Sequence, residues 1–118
     1  MAMTVMAALM GFAGVALGAF GAHGLEGRVD AQGMGWWQTA SQYLLVHAVA
    51  VLACGLSGRG GLTAAGGYAM AAGAVVFAGT LYAMALGAPR WFGAVTPLGG
   101  LGMLAGWVLI GAAASRAA

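Results

Sequence analysis

A chain of 118 residues is long enough for one domain, and 63% of this one is apolar against 5% charged. So few ionised side chains cannot cover a water-soluble surface, which excludes a soluble domain and points to a membrane protein. The net charge of +2 comes from four arginines against two acids, with no basic run to follow a phosphate backbone, so nucleic-acid binding is excluded as well.

Four apolar segments follow in chain order: about 3–22, 39–56, 62–86 and 97–114. Each approaches or exceeds the roughly 20 helical residues that cross a hydrocarbon core about 30 Å thick. None shows the period-two alternation of a barrel strand, and in lipid the backbone must satisfy its own hydrogen bonds. The first segment ends in small residues but lacks the basic start of a signal peptide, so it is read as a retained helix. The expected fold is all-α: one membrane-embedded four-helix bundle with short loops and both termini on the same side. Arg59 and Arg116 fall on one side, Arg28 and Arg90 on the other, so arginine counting leaves the orientation open.

The first loop is read from His23 to about Gln38, and Glu26, Arg28 and Asp30 within it suggest a small ion-pair cluster. Trp36, Trp37, Tyr43, Tyr82, Trp91 and Phe92 gather towards this side, as an interfacial aromatic belt or as a binding face. Pro97 fits the first turn of the fourth helix, where its missing N–H costs nothing.

Apolar burial cannot drive helices together in lipid, but close approach through small residues can. Gly14, Gly18 and Gly21 in the first helix, Gly73 in the third, and Gly102 with Gly106 in the fourth are the expected packing positions. Small faces left over would suit a homo-oligomer or contact with another membrane protein.

Polar groups inside a span concentrate between Trp37 and Cys54. At helical spacing Thr39, Tyr43 and His47 share a face, with Gln42 on its flank. An ionisable residue inside a span is a functional candidate by default. His47 reads either as a structural histidine bonded to Tyr43 or a neighbouring helix, or as a ligand or proton-relay group. His23, Gln42, Tyr43 and His47 form the candidate polar binding site. The two histidines differ in depth by roughly 10 Å or more at 1.5 Å per residue, and no span holds a carboxylate, so no metal or cofactor is expected. The lone Cys54 has no partner for an internal disulfide. No nucleophile–base pair is recognisable, and a non-enzymatic protein is expected.

The blocks LGAFGAHGL from Leu17, WQTASQYLLVHA from Trp37, GTLYAMAL from Gly79 and GAVTPLGGLGMLAGW from Gly93 span most of the chain. In this order they resemble the family known as domain of unknown function 423, with its YgdD-like bacterial inner-membrane proteins and transmembrane protein 256-like members. The resemblance implies a multi-pass inner-membrane protein of four helices with no established activity. It carries over Gly18, Phe20, Gly21, His23, Gln42, Tyr43, His47, Thr96, Pro97, Gly99 and Gly100. Leu44 departs from it, because relatives often have a polar residue there. The functional expectation is a structural or accessory subunit that packs through glycine-rich faces. The alternative is a small-molecule or lipid binder or transporter with a polar site around His47.

Overall fold

The computed structural model describes residues 1–117, and among them all regular structure is helical. Four helices follow one another: α1 (Ala2–Gly24), α2 (Ala31–Ser57), α3 (Gly61–Ala85) and α4 (Phe92–Ala117). All four are long and apolar enough to cross a bilayer. The molecule is 51 Å long and only 26 by 19 Å across. That length exceeds the roughly 30 Å of hydrocarbon, so the helix ends and loops reach the headgroup layers.

α2 starts eight positions before the apolar run that announced it. The Asp30 carboxylate accepts the Gly33 N–H at 2.7 Å and caps the helix, and Gly33 to Gln38, read from the sequence as loop, continue it. The expected ion-pair cluster does not form: among the described residues no acid of this loop pairs with an arginine, and Asp30 serves as the cap. α4 likewise begins before its apolar run, so Pro97 lies inside the helix and not in its first turn. The proline has no N–H to offer the Gly93 carbonyl, and Thr96 bonds back to the Phe92 carbonyl at 3.1 Å. The tight turn between α2 and α3 depends on Gly58 at φ +67° and Gly61 at φ +57°, left-handed conformations that side-chain-bearing residues avoid.

Neighbours in sequence are antiparallel neighbours in space. Thr4 meets Gly55 and Gly21 meets Trp37 between α1 and α2; Ser41 meets Tyr82 between α2 and α3; Gly66 meets Gly106 between α3 and α4. The most extensive interface joins α3 to α4, while α1 touches α3 lightly. The fold is therefore a folded ribbon of helices more than a closed square. The core lies where α1, α2 and α3 converge on Ala40, Val51, Met70 and Ala74.

Glycine makes these close approaches possible. A Cβ on Gly73 would stand 2.6 Å from the Met103 nitrogen, one on Gly102 2.9 Å from the Gly73 Cα, and one on Gly106 2.7 Å from the Gly66 carbonyl oxygen. In α1, Gly14 lies under Leu45 with a virtual Cβ 2.7 Å from its Cγ, and Gly21 leaves the space the Trp37 indole fills. Gly18 faces Ser41 at an ordinary 3.7 Å. Gly55, Gly66 and Gly67, not singled out in the sequence, are equally tight, and so is Gly99.

Candidate functional site

α2 carries both its packing face and its polar groups, and the 100° step of the helix separates them. His47 is buried at 5% exposure. Its Nδ1 lies 2.8 Å from the Tyr43 carbonyl oxygen one turn earlier, and its Nε2 lies 3.1 Å from the Trp107 Nε1 of α4. A carbonyl only accepts and an indole only donates, so the ring is assigned the neutral form protonated on Nδ1. Tyr43 stacks on the imidazole with centroids 6.1 Å apart and planes 7° from parallel, and leans on Phe77 at 4.9 Å.

Both nitrogens of His47 are therefore used. Binding a metal or passing a proton would require Trp107 or the Tyr43 carbonyl to let go. Trp107→Phe keeps an aromatic ring and removes the donor, leaving the His47 Nε2 buried and unpaired. It should lower stability by about 1 kcal/mol, read as a lower melting temperature in detergent. An unchanged melt would show that the bond contributes nothing.

The other candidates do not join this pair. Gln42 is exposed on the outer side of α2, roughly 100° around the helix from Tyr43. His23 is exposed in the last turn of α1, near the level of Trp37's contact with Gly21 and far from His47 along the helices. The four residues are not one site.

A second polar cluster escaped the sequence. Trp37, 3% exposed, donates its Nε1–H to the Leu17 carbonyl at 2.6 Å. Its ring packs edge-on to Tyr82 with centroids 4.5 Å apart, and the Tyr82 hydroxyl shares a 2.7 Å buried hydrogen bond with Ser41. Trp37 and Tyr82 are thus core residues and not part of an interfacial belt; Trp91, 65% exposed, fits that role. The available signal was the four-residue step from Trp37 to Ser41 opposite Gly18 and Gly21. Thr80 and Thr96 make a similar 2.6 Å link between α3 and α4.

Residues 17–100 match the family described as Protein of unknown function (DUF423). The chain belongs to this family. The DUF423 chain is 43% identical over 117 residues to the UPF0382 membrane protein YwdK of Bacillus subtilis, covering 95% of the chain and 94% of that relative. It is 40% identical over 111 residues to the UPF0382 inner membrane protein YgdD of Escherichia coli K12, covering 92% and 85%. The UPF0382 membrane protein SH2409 of Staphylococcus haemolyticus is 38% identical over 108 residues, with coverage of 90% and 88%. No solved structure matches. With four membrane-crossing helices and relatives named as inner-membrane proteins, this DUF423 member is a multi-pass protein of the inner membrane.

Proposed function

We propose that this DUF423 protein is a non-enzymatic assembly subunit of the inner membrane, and that it pairs with a second copy through the outer face of α2. The observation that carries the reading is Gln42. α2 is 27 residues long, about 40 Å at 1.5 Å per residue, while the hydrocarbon is about 30 Å thick. Gln42, near the middle of α2, sits at hydrocarbon depth, exposed, and without a hydrogen-bond partner among the described residues. A carboxamide facing lipid leaves a donor and an acceptor unmet, and in membranes such groups bond across helices.

Gly35, Gln38, Val46 and Val49 share this exposed arc, and nothing stands within 4 Å of a Cβ placed on Gly35. A two-fold axis along α2 would bring Gln42 against its own copy, and a carboxamide complements itself as donor and acceptor. A polar position on a mainly apolar seam also sets the register of a helix pair.

Gln42→Leu fills the same outward space without polar atoms. It should leave helicity and melting unchanged and weaken self-association about fivefold to thirtyfold, given about 0.6–2 kcal/mol for an interhelical polar bond. Energy transfer between labelled copies in liposomes, titrated against lipid, reads the change. Monomeric wild-type protein across that titration would sink the reading, as would a variant that associates as well as wild type.

A further inference from the structure

Three cavities follow one another down the same side of the molecule. The largest, about 560 Å³, opens at the end formed by the α1–α2 and α3–α4 loops, where Arg28 and Arg90 line it over a floor that includes Leu25 and Met84. The next, about 370 Å³, shares Trp36, Met84 and Arg90 with it and continues past Leu81 and Pro97. The third, about 340 Å³, lies further along α2, α3 and α4, lined by Tyr43 and His47 of α2, Phe77 of α3, and Gly100, Leu104 and Trp107 of α4. Together they trace a groove between α2 and α4 floored by α3. It exists because α4 packs on α3 and reaches α2 through the His47–Trp107 hydrogen bond.

Its dimensions fit half a bilayer. From Trp36 to His47 the helix rises about 16 Å, close to one leaflet of a hydrocarbon core about 30 Å thick. Its mouth is cationic. Among the described residues neither Arg28 nor Arg90 forms an ion pair, and Asp30, the acid at the mouth, spends its Oδ1 on the Gly33 N–H. Below the mouth the lining is mainly aromatic and aliphatic, with Thr96 and His47 the polar exceptions. Two guanidiniums above an apolar groove one leaflet deep complement a phosphate joined to an acyl chain.

We infer that the α2–α4 groove binds an anionic glycerophospholipid, with its phosphate between Arg28 and Arg90 and one acyl chain laid along the groove towards His47 and Trp107. This site is separate from the outer face of α2. On α2, Trp36, Tyr43 and His47 line the groove roughly 120° around the helix from Gln42, so either proposal can fail alone.

The test is native mass spectrometry of the whole protein released from nanodiscs of mixed phosphatidylglycerol and phosphatidylcholine. Wild type should retain phosphatidylglycerol at least about tenfold over phosphatidylcholine. Arg28→Gln with Arg90→Gln should abolish that preference, and Arg59→Gln with Arg116→Gln, which removes as much charge elsewhere, should keep it. Gly100→Leu tests the chain path. A Cβ there meets nothing within 4 Å, so the leucine enters the groove without disturbing the fold and should cut retention several-fold with both arginines intact. Equal losses in the two arginine pairs, unchanged retention in Gly100→Leu, or displacement of the lipid by inorganic phosphate at matched concentration would each overturn the assignment. The last result would leave an anion site without a lipid.

Discussion

Replacing Gly73 with valine is expected to unseat α4. The virtual Cβ of Gly73 already stands among the main-chain atoms of Gly99, Gly102 and Met103, and backbone cannot swing aside as a side chain can. That Cβ and the two methyls beyond it would push the helices apart and forfeit the dispersion contacts that hold helices together in lipid. The expected loss is about 3 kcal/mol or more, at the upper end for overpacked interiors. Gly79→Val is the control: it lies on the same helix, and nothing stands within 4 Å of its Cβ position. Unfolding titrations in mixed micelles should show Gly73→Val shifted far below wild type and Gly79→Val close to it. Comparable shifts would mean that α3 and α4 do not meet backbone to backbone at Gly73.

Trp37→Ala is expected to be as damaging, at about 3–5 kcal/mol for the loss of a large buried ring. The indole fills the space Gly21 leaves in α1, packs on Tyr82 of α3, and donates to the Leu17 carbonyl. One side chain thereby joins three helices. Trp37→Phe separates the contributions, since it keeps most of the ring and removes the donor, and should cost about 1–2 kcal/mol. The same titrations compare the two. If alanine proved no worse than phenylalanine, the ring's packing would count for little and the hydrogen bond would be the main contribution of Trp37.

Much of the architecture was legible before any coordinates. A bilayer sets a minimum length for an apolar helix, so four apolar runs announce four helices. Their starts were less legible. Asp30 as a cap and Gly33–Gln38 as helix look like loop, because a helix that projects into the headgroups no longer needs an apolar sequence. Pro97 misled for a related reason: the helix enters from Phe92, ahead of the apolar stretch. Small residues on several helices suggested close packing, but they did not say which helix faces which. Gly66 looked no different from Gly79 and Gly111, and only its neighbours distinguish it.

The candidate site shows the same division. Spacing placed Tyr43 and His47 on one face of α2, and they stack. It could not show that Trp107, sixty positions later, completes His47, or that Trp37, Ser41 and Tyr82 form a second network. Composition and run length by themselves determined that this chain crosses a membrane as helices, since a lipid solvent leaves the backbone no alternative. The pairing of glycine faces, the inward turn of Trp37 and Tyr82, the outward turn of Gln42 and the cleft between α2 and α4 were decided only by the tertiary structure. The reason is physical: in lipid each depends on which surfaces come within van der Waals contact, and that is a property of pairs of helices and not of any one segment.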